Sequence, residues 1–392
     1  MKASQRVLNM PTYVFAAVDE VKFALMNEGV DVIDLGIGNP DRRPPKFMLE
    51  ALKRAIGDEG NQNHRYSQFR GVIELRQAVA DWYKRRFNVT LDPETEILPL
   101  VGSKEGLLCL YLAYLDKGET ALIPSPCYPA HIGAARVAEA DIQEMGLLEE
   151  NGFLPDLDAI EKDVADRAKL LLFNYPNNPT GAVETREFYE RALEYGIKHD
   201  ILLISDIAYS ELSMDPDYVP MSFLELPEAK KYGVEFYSCS KSYNMPGWRV
   251  GFLVGNAEVI ANTLKIKTTK DFSIFLAIQR AIAEILNKGE DFARPNAELY
   301  RRRRDVLVDG IKSIGWDVPR PRAGMYIWAK IPEKFSDSMS FARELAQQTG
   351  VIVSPGSGFG QYGQGYVRMA LVVEEERMKE AAQRIANSGI LK

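Results

Sequence analysis

Residues 169–206 read KLLLFNYPNNPTGAVETREFYERALEYGIKHDILLISD. The run "KLLLFNYP" (169–176) is apolar up to a cluster of turn residues, "TREFYERALEYGIKHD" (185–200) has a helical pattern, and "ILLISD" (201–206) is apolar up to an aspartate. Short apolar runs bounded by turn residues predict buried strands, so the segment predicts strand, helix, strand. The pattern extends both ways: "TALIPSP" (120–126), "VEFYSCS" (234–240) and "RVGFLVG" (249–255) predict three more buried strands. Strands alternating with helices predict an α/β fold with a mostly parallel sheet flanked by helices. Ligands of such sheets bind outside the carboxyl ends of the strands. Tyr128, Asn178, Asp206, Tyr209 and Lys241 all come just after a predicted strand.

The last quarter of the chain has a different rhythm. A long polar helix is predicted over 296–315, followed by short strands in "AGMYIWAKI", "GVIVSPG" and "GYVRMALV", which together predict a smaller α+β domain. The four arginines 301–304 are expected on a solvated helix face rather than around a phosphate chain. "GFGQYG" (358–363) spells the glycine pattern of a dinucleotide site, but a strand pattern follows it where that site needs a helix. A flexible active-site or surface loop is expected there instead.

Of 392 residues, 46% are hydrophobic and 26% charged, values of a soluble globular protein of two or three domains. A net charge of −7 argues against nucleic acid or an anionic membrane as the main partner. Three scattered cysteines give neither a disulfide framework nor a zinc site, and no metal is expected. The N-terminal stretch lacks the apolar core of a signal peptide and no apolar run approaches 18 residues, so a cytoplasmic location is expected. Only three histidines are present, which directs the search for an acid–base group to lysine.

Five stretches share a chemical rationale. "VGSKEG" opens a helix with a small-residue turn whose free N–H groups could hold a phosphate, although an ordinary helix capped by Ser103 reads the same. "NYPNNPTG" after a strand is either plain turn chemistry or a binding loop, and Asp206 in "SDIAYSEL" is either a strand-end ligand or a helix cap. "SCSKSYNMPGWR" (238–249) offers hydroxyls, an amine and a guanidinium within a short span. Arg368 lies inside the apolar "GYVRMAL", where an unpaired charge is costly, so it is expected to meet a carboxylate of the protein or of a ligand.

Together these motifs resemble the fold type I, class I pyridoxal-phosphate aminotransferases. The resemblance runs from "PTYVF" and "DLGIGNPD" through "YSQFRG", "PCYP", "NNPTG", "SDIAYSE" and "SKSYNMPGWRVGF" to "VRMAL". It is nearest to the branch of LL-diaminopimelate and alanine-forming aminotransferases, whose diaminopimelate members "NHRY", "GSKEG" and "NGFLPDLDAI" resemble in particular. It implies a large cofactor domain over 45–285 with a sheet of the seven-stranded type. A small domain over 286–392 would take in the segment 1–44.

The resemblance also implies roles. Lys241 would hold pyridoxal 5′-phosphate covalently and shuttle the substrate's Cα proton. Asp206 would pair with the pyridine nitrogen, Tyr209 and Asn178 would bond the ring's phenolic oxygen, and Tyr128 would stack on the ring. Ser103, Lys104, Ser238, Ser240 and Arg249 would hold the phosphate, with Tyr66 reaching the phosphate of the neighbouring subunit in a homodimer. Arg368 would bind the substrate α-carboxylate with Gly38 and Asn178, while Tyr13, Lys104 and Tyr128 would complete the substrate site.

The implied reaction is a ping-pong transfer between an L-amino acid and a 2-oxo acid, with glutamate and 2-oxoglutarate as one pair. LL-diaminopimelate leads for the other, with alanine or aspartate as alternatives. Diaminopimelate enzymes typically carry Asn and Gly where this chain has Thr269 and Ser273, a departure that bears on specificity. A lyase on the same cofactor and a regulator carrying such a domain are the rival classes. The latter would need a DNA-binding domain, for which a match starting within the first fifteen residues leaves no room.

Overall fold

The helix predicted over 185–200 forms as Arg186–His199. Thr185 caps it, its side chain accepting the Phe188 N–H at 3.1 Å, and Asp200 ends it in the left-handed region at φ 54°. Phe188, Tyr189, Ala192, Leu193 and Gly196 form its buried face. Gly196 lets it approach the following strand closely, since a Cβ there would come within 2.7 Å of Leu203. The computed structural model to which it belongs describes residues 1–10, 14–288 and 293–392.

The described strands are β1 (Ile33–Asp34), β2 (Ile97–Val101), β3 (Thr120–Ser125), β4 (Asp141–Gly146), β5 (Ala168–Asn174), β6 (Leu202–Asp206), β7 (Gly233–Ser238), β8 (Val250–Gly255), β9 (Tyr326–Lys330), β10 (Val351–Ile352), β11 (Ser354–Pro355) and β12 (Tyr366–Ala370). Seven of them make the central sheet in the order β2-β8-β7-β6-β5-β3-β4, in which only β8 pairs antiparallel. Alternate side chains enter different cores. Leu171, Phe173 and Leu203 face one cluster, while Leu170, Leu172 and Ile204 face another. Both faces of the sheet are therefore covered, which is why its strands read as continuous apolar runs. The α/β expectation is met.

A third cluster surrounds the small antiparallel sheet β11-β12-β9. β1 pairs in parallel with β10, tying the N-terminal segment to this part of the chain. On these pairings we propose the division into a large domain over 45–285 and a small one made of 1–44 and 286–392. "GFGQYG" forms two short 3-10 turns, Gly356–Phe359 and Gln361–Gly363, and then β12, with no helix behind it. Among the described residues, no helix is long and apolar enough to cross a membrane.

The arginine run departs from expectation. In the helix Arg294–Ser313, Arg301 and Arg302 point outward to acidic partners, but Arg303 and Arg304 are buried. A 3.6-residue period places them on the same face as Tyr300, Leu307, Val308 and Ile311. Arg303 makes a two-pronged pair with Asp41, both contacts 2.7 Å, and Arg304 donates to the carbonyls of Met214 and Pro321. They bind the long helix to the rest of the protein.

Glu235 is a second buried charge, on β7 beneath the sheet. It accepts from the hydroxyls of Tyr83, Ser205 and Ser222 and from the Phe223 N–H. Burial pushes its carboxyl up to about 7 in spite of these bonds. Between the ordinary carboxyl value and 7 the folded state holds the proton that the unfolded state has lost, so stability falls as pH rises through that window. Glu235→Gln is expected to erase this term, which amounts to roughly 3 kcal/mol. In denaturant unfolding at pH 5 and pH 8 the variant should gain on the wild type at the higher pH; a pH-independent difference would refute the assignment.

Candidate active site

The carboxyl ends of β5, β6 and β7 open into a cavity of about 1340 Å³, lined also by Tyr326, Ser354 and Arg368 from the last quarter of the chain. Three features of the backbone build its floor. Gly102, at φ +76°, precedes the helix Ser103–Tyr114, whose first turn has no side-chain cap. Ser103 is therefore the first helical residue and not its cap. A Cβ on Gly102 would overlap the Arg249 guanidinium, and one on Gly251 would lie 2.8 Å from the Ser103 nitrogen. Glycine at both places lets the open helix N-terminus, Arg249 and the end of β7 converge. Ser238, paired across the sheet with Gly251, accepts the Ser240 N–H at 3.3 Å. Uncapped N–H groups, two serines and a guanidinium make a cradle for an anion. Lys104 stands exposed at its rim.

Lys241 follows in the short helix Cys239–Ser242, held from behind by Asn296, whose side-chain amide donates to the Lys241 carbonyl at 3.0 Å. Its Nζ donates to the Gly38 carbonyl at 2.7 Å. Burial lowers its pKa below the ordinary lysine value, and the charges of Arg368 and Arg249 lower it further against an opposing effect of Tyr326.

Asp206 ends β6 with Oδ2 2.9 Å from His131 Nε2 and Oδ1 accepting the Ala208 N–H at 3.2 Å. Tyr128 begins the same turn as His131 and meets its ring edge-on at 5.6 Å. Tyr209 Oη is 3.5 Å from the Asn178 amide nitrogen and 3.1 Å from Tyr326 Oη. Burial raises the Tyr209 phenol well above its usual range, and Tyr326 adds to this.

Arg368 crosses from β12 into the same space. It donates to the Asn178 side-chain oxygen at 2.9 Å and to the Gly36 carbonyl at 2.8 Å, and lies over the rings of Tyr326 and Phe359 at 4.1 and 4.6 Å. Its Nε is buried without a partner, and among the described residues no carboxylate lies within 4 Å of it. Of the two partners expected from the sequence, a ligand's carboxylate is the one left.

Gly38 faces the cavity so closely that a Cβ would overlap the Tyr326 hydroxyl. Gly38→Ala should displace this loop and lower kcat/KM about a hundredfold, with unfolding little changed. Steady-state kinetics checks this, and an unchanged kcat/KM would contradict it.

Two expected residues are not in this cavity. Tyr66 is 82% exposed, against Phe272 at 4.6 Å and outside the lining. Tyr13 lies outside the described residues. Two residues that sequence reasoning passed over are central, His131 and Tyr326. The scarcity of histidines turns attention to lysine; the position of His131, three residues beyond Tyr128 at a strand end, is the available signal. Tyr326 reads as one more apolar strand residue in "AGMYIW".

An amine whose protonation burial disfavours can serve as a nucleophile toward a carbonyl, and an anion cradle beside it suits a carbonyl compound that carries a phosphate. The cavity thus defines an enzyme built around a phosphate-bearing carbonyl cofactor. The sequence matches the family model "aminotransferase class I and II" over residues 30–385, and the chain belongs to that family, whose cofactor is pyridoxal phosphate.

An LL-diaminopimelate aminotransferase of Halothermothrix orenii is 45% identical, covering 100% of this chain and 99% of that one. Among solved structures, substrate-bound BacF from Bacillus subtilis is 37% identical with a TM-score of 0.93, covering 99% and 98% of the two chains. A Thermus thermophilus aspartate aminotransferase mutant is 30% identical with a TM-score of 0.92, covering 99% and 100%. The residues fit the cofactor. An anion cradle opened by glycines, a buried carboxylate at Asp206 and a hydroxyl–amide pair at Tyr209 and Asn178 are groups of the kind that could hold it. The enzyme moves amino groups between amino acids and 2-oxo acids.

Proposed function

We propose that this aminotransferase takes its amino group from LL-diaminopimelate, hands it to 2-oxoglutarate and releases glutamate. The observation that carries the α-amino-acid part is Arg368, a buried guanidinium with neutral partners only and one nitrogen unsatisfied. A carboxylate supplies what that site lacks. The diaminopimelate part rests on relatives of that name at 42–45% identity over nearly the full chain.

When bound, pyridoxal phosphate supplies a carbonyl to take up the amino group and a ring to accept the electrons left at Cα. Ser103, Lys104, Ser238, Ser240 and Arg249 would hold its phosphate, and Tyr128 would pack on its ring. Asp206, positioned by His131, would face the ring nitrogen, while Tyr209 and Asn178 would orient the phenolic oxygen. Lys241, whose protonation burial disfavours, would hold the carbonyl group, and its Nζ would be the base for the Cα proton. Arg368, Gly38 and Asn178 fix the α-carboxylate so that this proton faces Lys241.

The chain acts as a homodimer in the cytoplasm. Exposed Tyr66, Phe272 and Phe275 support a second copy on that face, with Tyr66 reaching into the partner's cradle. Three buried free cysteines suit a reducing compartment.

Aspartate or alanine as donor is the second reading. It is favoured by Thr269, whose hydroxyl donates to the Ile266 carbonyl at 2.7 Å where an amide would reach outward. Ser273 sits at φ +69°, a conformation that suits the Gly usual there. An absorbance titration with each donor in turn tests both readings. LL-diaminopimelate should bleach the visible band at the lowest concentration, with 2-oxoglutarate restoring it. Preference for another donor would replace the substrate, and a protein that never colours would remove the whole reading.

A further inference from the structure

Tyr326 sits where the parts of the site meet. Its hydroxyl is 3.1 Å from Tyr209 Oη, its ring lies beneath the Arg368 guanidinium at 4.1 Å, and its Oη abuts Gly38, whose carbonyl accepts from Lys241. A hydrogen bond between two phenols has a direction, and here the surroundings set it. Asn178 has its side-chain oxygen committed to Arg368, so its amide nitrogen faces Tyr209 as a donor. Tyr209 Oη therefore already stands opposite one donor. Burial alone would raise the Tyr326 phenol, but the charges of Arg368 and Lys241 outweigh it, so this phenol lies below its ordinary value. Tyr209, raised by burial and by Tyr326, is the weaker acid of the two. With the Tyr209 proton given to the phenolic oxygen of the cofactor, only the Tyr326 hydroxyl is left to donate across the 3.1 Å contact.

We propose that Tyr326 is a positioning residue whose hydroxyl donates to Tyr209 and so turns the proton of Tyr209 into the cavity, toward the phenolic oxygen of the cofactor. Without that donation, Tyr209 can spend its proton on Tyr326 itself, and the cofactor oxygen would lose the hydrogen bond from Tyr209. The same phenol touches the Arg368 clamp, so a carboxylate that neutralises Arg368 weakens Tyr326 as an acid. Occupancy of the carboxylate site is thereby felt at the cofactor ring. The inference rests on the roles proposed above for Tyr209 and Arg368.

Tyr326→Phe removes the hydroxyl and keeps the ring beneath Arg368. The measurement is a pH titration of the visible absorbance of the cofactor-loaded enzyme, beside Tyr209→Phe and the wild type. A donor to the phenolic oxygen favours the deprotonated form of the chromophore, so Tyr326→Phe should raise the midpoint by about half a pH unit or more. Tyr209→Phe should raise it further. In kinetics, kcat should fall about tenfold with KM nearly unchanged, because the carboxylate clamp is intact. A merely structural tyrosine would lower the unfolding temperature and leave the midpoint alone. An unshifted Tyr326→Phe midpoint beside a shifted Tyr209→Phe midpoint overturns this inference and leaves the proposed function standing. If neither shifts, the role of Tyr209 fails and the inference with it.

Discussion

Lys241→Ala is expected to lower turnover roughly ten-thousandfold or more while leaving the fold intact, because it removes both the covalent anchor and the proton carrier. The fold does not depend on this side chain. Ser238 caps the short helix through the Ser240 N–H, and Asn296 holds the Lys241 carbonyl, which alanine retains. The amine lies near Arg249 and Arg368, like charges that oppose its protonation. Its loss should leave stability equal or raised. Steady-state assays with glutamate and a 2-oxo acid, beside denaturant unfolding, separate the two effects. Full activity in the variant would mean that another group does this chemistry. The lowered pKa adds an expectation for the intact enzyme: the amine is neutral at a pH where an ordinary lysine is charged.

The strands that carry this site were legible for a simple reason. Each is covered on both faces, so "KLLLFNYP" and "ILLISD" are continuous apolar runs, and Asn178 and Asp206 stand where those runs stop. What stayed hidden depends on contacts distant in sequence. Arg303 and Arg304 look like solvated charge until Asp41, Met214 and Pro321, remote from them, are folded against them. His131 gains its meaning from Asp206, 75 positions away, and Tyr326 from Tyr209, 117 positions away. Tyr66 was legible as a motif, yet in the single chain it is exposed and lies away from the cavity. Glycines were informative where space was the constraint: Gly102 and Gly251 clear the cradle, and Gly38 clears Tyr326.

Arg368→Lys should cost about 3 kcal/mol in kcat/KM, roughly a hundredfold, for amino donors and 2-oxo acids alike. Lysine keeps the charge but loses the planar fork that can meet both carboxylate oxygens at once. It would also leave the Asn178 oxygen and the Gly36 carbonyl competing for a single ammonium. Both half-reactions bring an α-carboxylate to this one place, so the loss should be equal for glutamate and for 2-oxoglutarate. Cofactor affinity should be unchanged, since the cradle lies across the cavity on the large domain.

A primary amine without a carboxylate supplies the control. It cannot use the clamp, so it should react equally slowly with wild type and variant. Arg368→Leu extends the argument to stability: the guanidinium is buried among neutral groups between two aromatic rings, and an apolar replacement relieves that desolvation. The leucine variant should unfold at a temperature no lower than the wild type while losing more activity than the lysine variant. If it unfolds earlier and the carboxylate-free amine suffers as much as glutamate, Arg368 is a structural residue, and the α-carboxylate is held elsewhere.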